Sequence, residues 1–414
     1  MVTRSPNNQD VEMTAHSIVL TRNNEFGGAA ARAVVAAMIA VLFAGSTALT
    51  PLYIIYKQAF GFSQITLTLI YAVYVIGNLA ALLIFGGLSD VIGRRPAALA
   101  AMGVAVVSTL LFLFAENVMW LDAARILMGL AIGVGTGTGT AWLTELIATS
   151  DKSRAATIAT STNFLGLGLG ALGAGLLAEY APWPLRLTFV VNLAVLVLVT
   201  ILILRTRETV SRPGKLADIS MRPKLSVPGN VRARFVAPAL TGFGAMALVG
   251  FYAALAPSIL AQQLRVTNHA AAGALFFELT IVAALTVLAT TRLSSRVTMF
   301  TALVLIIPTV GLVVAAQFFG SMAIMIIATA CCGVASALGY RGGLQVVNQI
   351  APAERRAEVV SAFFICCFCG NALPVIGIGI LSNWTTATTA SLAFAGMITI
   401  FSLVALAFGA KHAR

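Results

Sequence analysis

The sequence predicts an all-α integral membrane protein whose twelve transmembrane helices form two pseudo-symmetric six-helix bundles. Of its 414 residues, 59% are hydrophobic and only 10% are charged, whereas soluble domains carry about 25% charged residues. Twelve stretches are nearly free of charge, and most reach the roughly 20 residues that a helix needs to cross a bilayer. These stretches do not alternate in polarity as barrel strands do, so helices are the structures that satisfy their backbone groups in lipid. The stretches lie near residues 33–56, 64–87, 97–115, 118–144, 156–178, 187–204, 235–262, 271–290, 297–316, 320–340, 359–382 and 386–409.

The polar segments between these stretches predict the orientation of the chain. Residues 1–30 form a mixed, polar N-terminal tail that does not resemble a cleavable signal peptide. Of 26 Lys and Arg residues, all but Lys57, Arg125, Arg186 and Arg265 fall on the same side as this tail. Translocated short loops are depleted of positive charge, so both termini are expected in the cytoplasm, with the protein in a bacterial inner membrane. The net charge of +12 is then an orientation signal, and nucleic-acid binding is not expected.

A long polar linker, residues 206–233, divides the stretches six and six. We expect an N-terminal bundle over 31–205, a C-terminal bundle over 234–410 and a short tail over 411–414. Short patterns recur across the linker at a steady offset of about 202–206 residues, which indicates a duplicated bundle with a substrate site near the midplane between the halves. The recurring pairs are Thr50-Pro51 with Ala256-Pro257, Leu88-Ser89 with Leu293-Ser294, and Ile147-Ala148 with Ile350-Ala351.

The loop after the second stretch, residues 86–96, carries the most specific pattern, GGLSDVIGRRP. Its glycines permit a tight turn, Pro96 can start the next helix, and Asp90 can pair with an arginine. The loop resembles the signature of the major facilitator superfamily, in which it joins the second and third helices on the cytoplasmic side. The alternative is a plain solubilising loop, and the second half, which reads LSSR at 293–296, lacks the acid needed for a matching latch. The expected latch of the cytoplasmic face consists of Gly86, Asp90, Gly93, Arg94, Arg95, Glu145 and Arg154.

Two intramembrane charges are candidates for proton coupling. The sequence RILMG at 125–129 resembles an arginine-bearing helix motif of proton-coupled members of the superfamily. Asp122 shares the helix face of Arg125 and is expected to pair with it; the alternative is an arginine that snorkels to the interface. Glu278 is the one carboxylate well inside a stretch, and burying it charged and alone would cost several kcal/mol. It is therefore expected to bind a proton or, alternatively, to make a structural hydrogen bond.

The fifth stretch contains a glycine run, residues 166–175, which reads GLGLGALGAG. Exporters of the superfamily have a glycine-rich fifth helix with a Gly-Pro step, and this run has the glycines without the proline. The resemblance favours export, whereas simple close packing of two helices is the alternative explanation.

Polar and aromatic residues inside the stretches are candidates to line a substrate cavity. A weakly charged aromatic cavity suits amphiphilic molecules better than sugars, which need many paired polar groups. For each residue the alternative is a packing role. The candidates are Thr50, Tyr53, Tyr74, Asn78, Asn163, Phe251, Tyr252, Gln345 and Asn371.

These observations predict a secondary active transporter that works by alternating access and exports a small amphiphilic drug or metabolite in exchange for protons. No Gly-x-x-x-x-Gly-Lys-Ser/Thr loop is present, so a proton gradient rather than ATP is the expected energy source, without cofactors. An uptake symporter or a uniporter remains an alternative, and so does a receptor that does not transport.

The sequence disfavours a membrane enzyme. All three histidines fall outside the hydrophobic stretches, and the five cysteines lie in two late stretches, where they are expected to act as small apolar residues. We expect no metal, no disulfide and no nucleic-acid partner, and a monomer that contacts its substrate, protons and lipid.

Overall fold

The computed structural model describes residue 26 and residues 28–147, 152–210 and 225–411. Within these residues, twelve helices are long and apolar enough to cross a membrane, which confirms the predicted fold class. A short helix, Leu88–Ile92, precedes α3. The spanning helices are α1 Gly28–Phe60, α2 Gln64–Ile84, α3 Arg94–Leu113, α4 Val118–Leu146, α5 Lys152–Tyr180, α6 Pro184–Leu204, α7 Arg232–Gln262, α8 His269–Ala289, α9 Ser295–Phe318, α10 Met322–Ile350, α11 Arg356–Leu381 and α12 Ala387–Lys411.

The predicted tails and linker fall largely outside the described residues. Of the tail predicted over 1–30, residue 26 is described and α1 already begins at Gly28. The linker predicted over 206–233 is described at 206–210 and from 225 onward, where α7 begins at Arg232. Of the tail predicted over 411–414, only Lys411 is described, as the last residue of α12.

The first two helices are interrupted near their middle. α1 changes to a 3₁₀ turn at Thr50–Leu52 and resumes as an α-helix at Tyr53. Pro51 explains this break because it has no N–H to donate to the carbonyl of Thr47, four residues earlier. α2 is interrupted at Val73. Such breaks free backbone carbonyls, which need other donors inside a membrane.

Burial separates the central helices from those that face lipid. In the most apolar 18-residue stretch of α7, 89% of the residues are buried, whereas only 28% are buried in the corresponding stretch of α6. Leu198 and Ile201 of α6 are exposed, and its mean hydropathy of 2.9 is what contact with hydrocarbon requires. α7 instead contains Pro238 and Pro257 and forms the centre of the second half.

Glycines of α5 place this helix against both halves. A Cβ atom added at Gly166 or Gly170 would lie 2.4 or 2.1 Å from a backbone oxygen of α1. A Cβ atom added at Gly168 would lie 2.2 Å from Oγ1 of Thr280 in α8. Close helix packing, the alternative explanation of the glycine run, is therefore what the structure shows. The α5–α8 contact is one seam between the halves.

The halves also meet through α2 and α11. A Cβ atom added at Gly379 of α11 would lie 2.2 Å from Oγ1 of Thr68 in α2. We call the end of the bundle that carries residues 86–96 the motif end, and the opposite end the far end. At the far end, the backbone N–H of His269 donates to Oε2 of Glu179 over 2.8 Å, which joins the start of α8 to the end of α5.

Candidate functional site

The buried guanidinium of Arg125 is the centre of the candidate site. Arg125 lies in α4 and is 2% exposed. Its Nη1 donates to the carbonyl oxygen of Ser46 over 2.8 Å. Nη2 donates to the carbonyl of Tyr71 over 3.0 Å, and Nε donates to that of Ile70 over 3.2 Å. These carbonyls lie just before the breaks in α1 and α2, so the guanidinium supplies donors that the interrupted helices lack.

Two tyrosines of α2 link this cation to the second half. The Arg125 guanidinium carbon lies 5.3 Å from the ring centroid of Tyr71 and 4.9 Å from that of Tyr74, close enough for cation–π attraction. Both tyrosine hydroxyls donate to Oδ1 of Asn371 over 2.6 Å. Nδ2 of Asn371 in turn donates to the carbonyl of Met246 in α7 over 3.2 Å. A continuous set of contacts therefore runs from α4 through α2 to α11 and α7.

The predicted ion pair between Asp122 and Arg125 is not formed. Among the residues that the structure describes, the polar contacts of the guanidinium go to Ser46, Ile70 and Tyr71, and Asp122 is partly exposed without an ion pair. The alternative of a snorkelling arginine is wrong as well, because the side chain is buried. Helix spacing indicated Asp122 as a partner, but the carbonyls freed at the two breaks lie closer.

Tyr53, Asn78 and Phe251 were predicted to line a cavity, and all three are buried. The hydroxyl of Tyr53 has no hydrogen-bond partner within the described residues. Asn78 packs between α2 and α4, where its Oδ1 is likewise unpartnered within the described part of the chain. Phe251 stacks on Phe394, with ring centroids 4.9 Å apart, inside the second half.

The remaining cavity candidates lie at different depths. The hydroxyl of Tyr252 accepts a hydrogen bond from Oγ1 of Thr329 over 3.1 Å, and Thr50 is buried in the α1 turn. Asn163 and Gln345 are partly buried and lie nearer the motif end. Of the nine predicted cavity residues, the described structure joins only Tyr74 and Asn371 by a hydrogen bond. Tyr71 was missed, although its spacing of three residues from Tyr74 placed both on one helix face.

Glu278 lies at the edge of the bundle rather than beside Arg125. It shares a face of α8 with Ala274 and Leu285, and Leu285 is 57% exposed. The face of α8 that meets α5 contains Thr280 instead. The Glu278 side chain is half-buried and has no hydrogen-bond or ion-pair partner within the described residues, so the alternative of a structural hydrogen bond finds no support.

The structure brings three residues of the predicted latch together. Nη1 of Arg94 lies 2.6 Å from Oδ1 of Asp90 and donates to Oγ of Ser89 over 2.6 Å. Nη2 and Nε of Arg94 donate to Oε1 of Glu145 over 2.7 and 3.1 Å. Gly86 and Gly93 shape the loop, and Gly93 has a φ of 103°, which a residue with a side chain rarely adopts. Arg154 is exposed at the start of α5 and makes contacts of its own.

Glu208 completes this network and was missed by the sequence prediction. Its Oε1 and Oε2 accept hydrogen bonds from the backbone N–H groups of Arg94 and Arg95 over 3.0 and 2.8 Å. The carboxylate therefore caps the positive N-terminus of α3. The hydroxyl of Thr209 donates to Glu145. All of these partners belong to residues 89–209, so within the described structure the network fastens the first half and makes no bond to the second.

One protein family and one curated relative match this sequence, the family over most of the chain and the relative over part of it. The sequence model of the Major Facilitator Superfamily matches residues 35–375. The uncharacterized MFS-type transporter YybF of Bacillus subtilis (strain 168) is 30% identical over 156 residues, which span 37% of this chain and 38% of that protein. The region shared with this relative is thus less than half of its length.

Two solved structures share the fold. One is a bacterial homologue of the human lysosomal transporter Spinster in an inward-facing, unoccupied conformation, with 17% identity and a TM-score of 0.68 over 92% of this chain and 96% of that one. The other is a mutant of the nucleoside transporter NupG, with 14% identity and a TM-score of 0.69 over 91% of this chain and 99% of that one. At these identities the likeness is one of fold.

Proposed function

The chain belongs to the major facilitator superfamily, a family of transporters rather than enzymes, and on that premise we propose that it is a secondary transporter that exports a small amphiphilic organic molecule in exchange for protons. The observation that carries this proposal is Arg125, a cation buried in the membrane and held by carbonyls and aromatic rings instead of a carboxylate. Intramembrane charges of this kind mark proton and substrate pathways.

Proton exchange at Asp122 is the proposed coupling step. With a proton bound, Asp122 is neutral, and Arg125 keeps its bonds to the carbonyls at the breaks in α1 and α2. After the proton leaves, the carboxylate attracts the guanidinium and draws it away from those carbonyls. The breaks can then rearrange, and the two tyrosines that stack on Arg125 shift relative to Asn371. Protonation is thus coupled to the contact between the halves.

Glu278 is the second candidate for the proton, and its position supports this role less well. The side chain is half-buried on a face of α8 that also carries the exposed Leu285, and within the described residues it has no hydrogen bond or ion pair to Arg125, Tyr71 or Tyr74. A carboxylate there can bind a proton, but within the described residues it has no hydrogen bond or ion pair to a group that links the halves. We therefore assign the coupling role to Asp122 and Arg125 rather than to Glu278.

The surroundings of Arg125 support an amphiphilic substrate. Tyr71 and Tyr74 supply aromatic surface at one cation, and Asn371 adds one amide. Such a site favours a flat apolar molecule with few polar groups over a sugar. The α5–α8 seam of small residues gives the halves a smooth surface on which to rock.

The motif end completes the proposed cycle. With both termini in the cytoplasm, Arg94, Asp90 and Glu145 lie at the cytoplasmic face, where their network holds the short helix Leu88–Ile92, α3 and α4 as one body. During alternating access this body would move as a unit, and Asp90, the most exposed of the three, is the group available to contact the second half when that face closes.

Transport by the reconstituted protein tests this proposal. Liposomes containing the wild type, Asp122→Asn, Arg125→Gln or Glu278→Gln are given a proton gradient, and flux of a panel of aromatic amphiphiles is followed with a pH dye inside. We expect coupled flux in the wild type and Glu278→Gln, and its loss in Asp122→Asn and Arg125→Gln with counterflow exchange retained in Asp122→Asn. Arg186→Gln, which removes an exposed far-end charge, is the matched control.

The same experiment contains the results that would overturn the proposal. Coupled flux in Asp122→Asn at the wild-type rate would remove that residue from the mechanism, and loss of coupling in Glu278→Gln alone would transfer the role to Glu278. Accumulation of substrate in the direction of proton flow would establish uptake by symport. Absence of flux for every compound, with binding intact, would favour a receptor.

A further inference from the structure

Two adjoining cavities lie at the far end, where helices of both halves meet. The first has a volume of about 260 Å³ and the second about 460 Å³, and the two share Lys57, Ser258 and Gln262. Their sizes are near the range of about 300–1,000 Å³ that is usual for small-molecule sites. Lys57 belongs to α1, and the other two residues belong to α7, so the shared part of the cavities bridges the halves.

The first cavity is lined by polar groups with unused hydrogen-bonding capacity. Ser391 is 2% exposed and Ser258 is 8% exposed, yet within the described part of the chain neither hydroxyl has a hydrogen-bond partner. Neither oxygen is among the buried unpartnered side-chain atoms of the described residues, so both reach the open space of the cavity. Both hydroxyls are therefore free to form a hydrogen bond with a molecule in the cavity.

The cavities carry one positive charge and no negative one. Nζ of Lys57 donates to Oε1 of Gln64 over 2.9 Å, which uses one of its three N–H donors. No Asp or Glu is among the described residues that line either cavity. Lys57 is also one of only four basic residues that the sequence places away from the motif end. The charge of Lys57 therefore does not belong to the orientation signal of the motif end, and it is available to a ligand in the cavities.

The second cavity extends the same site with apolar surface. Ile54, Phe62 and Ala261 line it beyond the shared residues. A ligand with a charged head at Lys57 and Ser258 would place an apolar body against these side chains.

We propose that the two cavities form a binding site for a small amphiphilic organic anion, such as an aromatic carboxylate, at the far end between the halves. Lys57 pairs with the anionic group, Ser258 and Ser391 donate hydrogen bonds to it, and Ile54 and Phe62 cover the apolar part. The site rests on the chain being a transporter but not on proton coupling. A bound anion joins α1 of the first half to α7 and α12 of the second and stabilises the arrangement in which they meet.

Binding measured without a gradient tests the site. The full-length protein in lipid nanodiscs is titrated calorimetrically with benzoate, benzyl alcohol and benzylammonium, which share an aromatic ring and differ in charge. We expect the wild type to bind benzoate at least tenfold more tightly than the other two. Lys57→Gln should weaken benzoate binding at least tenfold, and Lys57→Arg should retain it within about threefold. The double variant Ser258→Ala/Ser391→Ala should weaken it three- to tenfold.

Arg186→Gln is the matched control, because it removes one far-end positive charge that lines neither cavity, and it should leave benzoate binding unchanged. Equal binding of benzoate and benzyl alcohol, wild-type affinity in Lys57→Gln, or equal weakening in Arg186→Gln would each overturn the site. Arg125→Gln separates the two proposals: benzoate binding that persists in this variant while coupled flux is lost shows that the site stands apart from the coupling mechanism.

Discussion

The two halves share a fold and differ in the polar groups at corresponding positions. α4 and α10 each contain 29 residues and align end to end at an offset of 204 residues. At that offset Arg125 corresponds to Thr329, and Glu145 corresponds to Gln349. Arg125 donates to carbonyls of two broken helices, whereas the Thr329 hydroxyl makes neutral hydrogen bonds to Tyr252 and to the carbonyl of Met325 in its own helix. The apolar framework therefore accepts a charged or a neutral residue at this position, and only the first half has the charged one.

The motif end shows the same contrast. The first half fastens its loop with the ion pairs of Arg94 to Asp90 and Glu145. In the second half, Oγ of Ser295 donates to Oε1 of Gln349 over 2.9 Å, and Nη2 of Arg341 donates to the carbonyl of Thr291, just after α8, over 3.0 Å. A loop at this position can thus be held without acidic residues. We infer that the acidic residues of the first half contribute to the conformational change of transport as well as holding the loop in place.

The largest expected effect comes from removing the buried cation. Arg125→Met should lower the free energy of unfolding by about 3 kcal/mol or more, because three backbone carbonyls lose their donors and each costs about 1–3 kcal/mol. Thr329→Val, the corresponding change in the second half, should cost about 1 kcal/mol. Equilibrium unfolding in mixed micelles measures both, with Arg125→Lys as the control that keeps the charge. Equal losses in Arg125→Met and Thr329→Val would contradict the assigned asymmetry.

The second-largest expected effect tests whether equivalent pairs of helices in the two halves pack in the same way. A Cβ atom at Gly166 would lie 2.4 Å from a backbone oxygen of α1, and one at Gly370 would lie 2.2 Å from a backbone oxygen of α7. These glycines are 204 residues apart and pack equivalent helix pairs. Gly166→Ala and Gly370→Ala should each lower the free energy of unfolding by about 1–3 kcal/mol, as overpacking does. Gly173→Ala, where a Cβ atom meets open space, is the control. A large difference between the first two would mean that the shared packing is not equivalent.

A smaller effect concerns the acid of α4. Glu145→Gln gives the first half the residue of the second and should cost about 1–2 kcal/mol, since the carboxylate is partly exposed and its pairing with Arg94 is partly screened. Gln349→Glu, the reverse exchange, should change stability by less than about 0.5 kcal/mol, because Gln349 is exposed. The Glu145→Gln loss should shrink in 1 M salt, and a loss that is independent of salt would exclude an ion pair as its cause.

Much of the fold was predictable because membrane helices are encoded by local composition. Stretch length and charge bias predicted the twelve helices, and the 86–96 pattern predicted a charge network that includes Asp90, Arg94 and Glu145, but not which arginine each acid contacts. The site was harder, because its partners meet through tertiary structure. Pro51 signals the break in α1, but no residue signals the break at Val73, and so the carbonyls that displace Asp122 were not foreseen. Glu208 was missed because it lies at the start of the polar linker, far from α3 in sequence.

The smallest expected effect concerns Asp90, the acid that makes the motif recognisable. Its side chain is 64% exposed, and an exposed ion pair contributes only about 0–1 kcal/mol. Asp90→Ser copies the serine that the second half has at the corresponding position and should lower the free energy of unfolding by less than about 0.5 kcal/mol. If the acid serves movement, the same variant should change transport far more than stability, at least tenfold in rate. A stability loss as large as that of Glu145→Gln, with transport unchanged, would mean that Asp90 only holds the loop in place. The loops of the two halves at the motif end would then not differ in function.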